Sequence, residues 1–123
     1  MAVPFVQRVY PTLRILDADT ARSFYVERLG FRVDWEWRHD GPVFMQVSRN
    51  GLALYLSENA RDGEPGGLAY LYVPDVDLWH AELCEGERQV EVEEEPRDRP
   101  WGNREMRLRD PFGNCLCIAT TRL

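Results

Sequence analysis

Two stretches of the chain follow one plan. "LRILDAD" (13–19) and "LYVPDVD" (71–77) each end an apolar strand and pass through Asp-x-Asp into an amphipathic segment, 58 positions apart. A repeat at that spacing implies a duplicated supersecondary unit. After the first stretch, "TARSFYVERLG" sets Ala21, Phe24, Val26 and Leu29 near helical spacing, with Gly30 as the residue past the helix end. After the second, Val76, Trp79, His80 and Leu83 fall at i, i+3, i+4 and i+7, with Gly86 as the stop. Asp17 and Asp75, or Asp19 and Asp77, supply the N-caps. Strand-like runs follow each helix: "FRVDWEW" (31–37), "VFMQVS" (43–48) and "LALYLS" (52–57), then "QVEVEEE" (89–95), "REMRLRD" (104–110) and "CLCIA" (115–119). The last two flank "DPFGN", a turn in which Pro111 fixes φ and Gly113 and Asn114 tolerate positive φ. Both halves read β-α-β-β-β. The expected class is α+β: two βαβββ modules forming a curved mixed sheet around a cleft, in one domain over 1–123. Module one covers 7–57 and module two 68–121, joined by the Gly- and Pro-rich linker 58–67.

A strand alternates its side chains between faces, so the cleft face can be enumerated. If Leu13 and Ile15 pack on the helix, Tyr10, Thr12 and Arg14 face away. Ala53, Tyr55 and Ser57, then Leu68, Tyr70 and Tyr72, then Cys115, Cys117 and Ala119 complete twelve positions with no His, Asp or Glu. Trp35 and Trp37 fall with Phe31 and Val33 on the apolar face of their strand, which assigns them to core or to a dimer interface. Trp101 sits in a loop between Pro and Gly, where no periodicity buries its ring; it reads as a ligand platform. Cys115 and Cys117 read as small buried hydrophobes, and Cys84 as core. His39 and His80 lack the partners of a nucleophile motif. The acidic run 91–95 reads as a solvated strand edge.

Composition narrows the function classes. A net charge of −6 argues against nucleic acid, whose binding requires neutralised phosphates. The chain has no lysine; all 15 basic residues are arginine, which excludes Schiff-base chemistry. No apolar run approaches a membrane span, and there is no signal-peptide pattern at the start. Three cysteines without framework spacing fit reduced thiols and a cytoplasmic location.

The duplicated βαβββ plan, "FYVERLGF" after a capped helix and "RDPFGNC" near the end together resemble the vicinal oxygen chelate superfamily of glyoxalases, dioxygenases and bleomycin resistance proteins. In its metalloenzymes, His, Gln and Glu on the first and last strands of each module hold a divalent ion. By that resemblance the four metal positions here are Tyr10, Tyr55, Leu68 and Cys117, a set unsuited to Mg²⁺, Mn²⁺, Fe²⁺ or Ni²⁺. No metal or other cofactor is therefore expected. "PWG-x-RE" at 100–105, "LRDP-x-GNC" at 108–115 and "LAYLYV" at 68–73 resemble the bleomycin-binding branch. The chain departs from it by one extra residue, Asn103, and by Tyr for Trp at 70 and 72.

The resemblance implies a homodimer that sequesters a drug in crevices at the subunit interface, without chemistry. Pro11 would turn an N-terminal arm onto the partner, where Val3 and Phe5 would pack. The expected ligand is a small molecule, cationic and aromatic, of the bleomycin type; nucleic acid and membrane are not expected partners. The residues assigned to contact it are Trp101, Tyr55, Ser57, Tyr70, Tyr72, Trp37, Phe44 and Cys117. Two alternatives stand beside this reading. One is a glyoxalase- or dioxygenase-type metalloenzyme with ligands displaced to Glu105, His39 and Asp40. The other is a binder of another aromatic metabolite.

Overall fold

The computed structural model describes residues 7–122. The apolar arm 2–6, with Val3 and Phe5, lies outside the described residues. Each half begins with a strand that leads into a capped helix. β1 (Thr12–Arg14) precedes α1 (Ala18–Arg22), and β5 (Leu68–Tyr72) precedes α2 (Val76–His80). The first Asp of each Asp-x-Asp is the cap. Asp17 accepts from the Thr20 N–H at 2.9 Å, and Asp75 accepts from the Asp77 N–H at 3.0 Å.

Both helices widen after one turn into a π-helical segment, Ser23–Arg28 and Ala81–Glu85. The wider turn moves the buried stripe. Ala21, Tyr25 and Leu29 are buried at a spacing of four, whereas Phe24 and Val26 are only half-buried. Gly86 closes the second helix because a Cβ there would lie 2.7 Å from the Glu82 carbonyl oxygen.

The remaining strands are β2 (Arg32–Trp37), β3 (Phe44–Arg49), β4 (Leu52–Ser57), β6 (Glu94–Asp98), β7 (Asn103–Arg109) and β8 (Cys115–Thr121). They build two four-stranded sheets of identical plan, β1-β4-β3-β2 and β5-β8-β7-β6, each with one parallel pair at its start. β6 departs from the expected run 89–95. It starts at Glu94 and passes through Pro96, which an edge strand tolerates because its outer N–H needs no partner. The preceding residues are held elsewhere: the Val90 N–H donates to the Leu83 carbonyl at 2.7 Å, and Gln89 takes a positive φ.

The modules share one apolar core, and polar clasps lock them together. The "DPFGN" turn is the main clasp. Asp110 accepts from the Tyr25 hydroxyl of module one at 2.7 Å and from the Asn114 amide at 2.8 Å. Asn114 also donates to the Arg14 carbonyl at 2.8 Å and accepts from the N–H groups of Gly66 and Gly67 at 2.9 and 2.8 Å. The opposite clasp is Arg49, the last residue of β3. Its guanidinium lies 4.2 Å from the Trp79 ring centre and pairs with Glu82. Helices and clasps thus occupy one side of each sheet and leave the other, concave side bare.

Candidate functional site

The concave face of the first sheet is aromatic, and a β-bulge makes it so. Val33 pairs with Val47, but Trp35 pairs with the next residue, Gln46, leaving Asp34 as the extra residue. A bulge of this kind exchanges the faces of every later side chain. Phe31 and Val33 therefore pack on the core as expected, while Trp35 and Trp37 turn to the concave face. The assignment of the two tryptophans to the Phe31 and Val33 side is corrected. They are 41% and 62% exposed in the chain.

Trp35 stacks on Phe44 with ring centres 5.7 Å apart, and Phe44 meets Tyr55 at 5.0 Å. Tyr10 joins Tyr55 at 4.9 Å, and Trp37 stacks on His39 at 6.0 Å. Trp37, His39, Phe44 and Asp62 border a cavity of about 500 Å³. Ser57, at the end of this row, is buried, and its hydroxyl donates to Asp62 at 2.6 Å.

The concave face of the second sheet carries Leu68, Tyr70 and Tyr72 from β5, all exposed, with the two tyrosine rings 6.2 Å apart. Behind them, Cys117 is fully buried. Burial first, and then the neighbouring Glu105 carboxylate, push its thiol up to about 11, so it stays protonated at neutral pH.

Glu105 is the centre of this face. It lies on β7 opposite Ala119 and is 0% exposed. The Trp101 indole N–H donates to it at 2.8 Å, the Asn103 amide at 2.9 Å and the Tyr70 hydroxyl at 3.4 Å. Asn103 also donates to the Tyr72 hydroxyl at 3.1 Å. Burial by itself would raise the carboxyl, but hydrogen bonds from Trp101 and Asn103, with the Arg99 charge, outweigh it and hold Glu105 below the ordinary range. Trp101 stands 55% exposed in its loop.

Trp35, Asn103 and Glu105 were missing from the residues assigned to the ligand. Alternation along "NREMRLR" carries the signal for two of them, since Met106 and Leu108 face the core and Asn103, Glu105 and Arg107 face away. Trp35 depends on the bulge, which alternation does not reveal.

The four positions that the resemblance equates with metal ligands divide between the sheets. Tyr10 and Tyr55 touch on the first, and Leu68 and Cys117 lie on paired strands of the second, with Leu68 opposite Cys115. Glu105 is on β7, whereas His39 and Asp40 lie in the β2–β3 loop. Among the described residues no three His, Cys, Asp or Glu side chains form a group able to hold a metal. No aromatic pair or side-chain hydrogen bond there joins the first concave face to the second. The chemistry on offer is stacking and hydrogen bonding.

A family model described as "Glyoxalase superfamily protein" matches residues 2–122. Among solved structures, TnmS3, an antibiotic binding protein from Streptomyces sp. CB03234, is 30% identical, with 98% of each chain covered and a TM-score of 0.76. A glyoxalase/bleomycin resistance protein from the same organism is 31% identical over 87% of this chain and 94% of that one, with a TM-score of 0.71. A bleomycin-binding protein complexed with bleomycin shares the fold at 24% identity, 94% and 99% coverage and a TM-score of 0.70. No curated protein matches the chain. Sheet plan, clasped turn and family match agree: this chain belongs to the glyoxalase superfamily.

Proposed function

We propose that the protein is a metal-independent binder that sequesters a planar aromatic small molecule, and that the ligand is an antibiotic of the bleomycin type. The observation that carries this reading is the aromatic row of Trp35, Trp37, Phe44 and Tyr55 on the concave face, in which both tryptophans are exposed and Phe44 and Tyr55 are half-buried. Such a row favours flat, polarisable ligands by stacking. The TnmS3 likeness supports an antibiotic as ligand, and the net charge of −6 favours a cationic one.

The crevice in this reading is shared between two copies. The first sheet of one copy would face the second sheet of the other, bringing the Trp35 row against Trp101, Tyr70 and Tyr72. Support comes from the concave faces, which carry exposed aromatics on both sheets yet make no aromatic contact with each other within the chain. The three free thiols favour a reducing compartment, the cytoplasm.

The test is a titration with metal-free and copper-loaded bleomycin, following tryptophan fluorescence and heat. Quenching that saturates at one ligand per crevice is expected. No quenching and no heat at micromolar protein would remove bleomycin as the ligand.

A further inference from the structure

We propose that the second concave face holds a site for a carboxylate, centred on Arg107, so that the small molecule taken by the protein carries an acidic group. The proposal rests on reading the concave faces as the ligand surface. β7 aims Glu105 and Arg107 at that face, and their cross-strand partners share it: Glu94 opposite Arg107, and Arg97 opposite Glu105. Arg99 joins them from just past β6, where its backbone N–H donates to the Asn103 carbonyl at 2.7 Å. Three guanidinium groups thus meet two carboxylates, Glu94 and Glu105.

The guanidinium groups are not satisfied by these two. Glu94 Oε2 accepts from Arg99 Nη2 at 2.6 Å but lies 3.6 Å from Arg107 Nε, and Glu94 Oε1 lies 3.6 Å from Arg97. Glu105 is taken by Trp101 and Asn103 and stands 3.9 Å from Arg99 Nε. The Nε atoms of Arg99 and Arg107 are consequently buried with no hydrogen-bond partner among the described residues, a rare condition in a folded protein. Arg107 itself makes one long contact, 3.5 Å to the Tyr70 hydroxyl, and its side chain keeps 28% exposure, so a ligand can reach its terminal nitrogens. The other charges nearby leave the balance unchanged. Arg109 pairs with Glu93 at 2.7 Å, Arg104 holds Asp77 and Asp98 on the helix side, and Glu95 acts on Cys84 there. A first sheet facing this one in the shared crevice would bring Arg8, Arg14, Arg32 and Arg61 against Asp34 and Asp62, which adds to the excess. The negative charge that dominates the whole chain therefore lies off this face and acts on a ligand at long range. An excess of one positive charge matches a monoanion, and the planar fork of a guanidinium fits a carboxylate through two parallel hydrogen bonds. Glu94, half-buried on the edge strand, holds the place that the ligand's carboxylate would take.

Isothermal titration with 2-naphthoate and with its neutral counterpart, 2-naphthalenemethanol, tests this, and the ¹⁵N–H resonance of Arg107 Nε locates the binding. The wild type should bind naphthoate about tenfold more tightly than the alcohol, with a saturable shift of that resonance. Arg107→Gln should bind the two probes equally. Glu94→Gln removes the internal competitor and should widen the preference about threefold, a gain that a disturbed fold would not produce. Equal affinities in the wild type, an unmoved Arg107 resonance, a preference kept in Arg107→Gln, or one not widened in Glu94→Gln overturns the proposal. A parallel bleomycin titration separates the two readings. Quenching by bleomycin beside equal probe affinities removes only this inference, and a naphthoate preference without quenching removes only bleomycin.

Discussion

Trp101 donates its indole N–H to Glu105 at 2.8 Å, joining an exposed ring to a fully buried carboxylate. Burying a carboxylate is costly unless it is hydrogen-bonded. Here the same group also takes Asn103 and Tyr70, and Asn103 reaches Tyr72. One carboxylate thus fixes the three exposed aromatic side chains of the second sheet. Asn103 serves as the link to Tyr72. Glu105→Gln keeps one acceptor but turns the other into a donor facing Asn103 or Trp101. The variant should lose about 1–3 kcal/mol of stability and about tenfold in ligand affinity. The Trp101 indole resonance should shift and exchange faster. An unmoved indole with unchanged affinity would show that Glu105 does not position the platform.

The same carboxylate predicts a pH dependence. Its folded pKa lies below the unfolded value, so its stabilisation is complete above the unfolded range, near about 4.3. It declines as pH falls toward the folded pKa and vanishes below it. Urea midpoints of wild type and Glu105→Gln should therefore differ at pH 7 and converge on acidification. A gap that is constant with pH would assign the loss to shape alone.

The clasp at "DPFGN" predicts stability effects remote from the ligand. Asn114→Ala strands the N–H groups of Gly66 and Gly67 and the Arg14 carbonyl, at a cost of at least about 3 kcal/mol. Tyr25→Phe removes one bond to Asp110 and should cost about 1–2 kcal/mol. Burial and then the Asp110 charge raise the Tyr25 hydroxyl well above its ordinary value, so the bond persists to high pH. Thermal melts read both variants. An Asn114→Ala melt equal to wild type would contradict the clasp.

Thiol reactivity gives an independent check on the second face. Cys115 and Cys117 are buried, and Cys117 titrates only near about 11. Cys84 is half-buried, with its pKa also raised, first by burial. A disulfide reagent at pH 8 should therefore modify the native protein slowly and at Cys84 alone, then all three thiols on unfolding. Rapid modification of Cys117 would place it in an open, reactive setting.

Most of the fold was readable because it depends on local chemistry. The two Asp caps, the apolar strand alternation and the Pro-Gly turn each specify an element on their own, and the repeat specifies their order. The readings that failed depend on backbone irregularity. The π-helical turns replaced Phe24 by Tyr25 in the core. The bulge at Asp34 reversed Trp35 and Trp37, and the positive φ of Gln89 with the Val90–Leu83 bond moved the start of β6 along the chain. The exposure of Trp101 was legible from its loop, and the facing of Tyr70 and Tyr72 from period two. Alternation carries the facing of Glu105 but not its role, which lies in three partners that only the folded sheet and loop bring together.

The central claim is that each crevice joins the first sheet of one copy to the second sheet of another. Trp35→Ala disables the first face and Trp101→Ala the second. As homodimers both variants should lose bleomycin binding. When the two are mixed, unfolded and refolded together, each heterodimer should contain one crevice with both defects and one with neither. Random pairing then restores about a quarter of the wild-type sites, because half the dimers are mixed and each carries one intact crevice. Isothermal titration of the mixture should report that fraction with wild-type affinity. A mixture as silent as its parents, beside a wild type that binds, would show that the site lies within one chain.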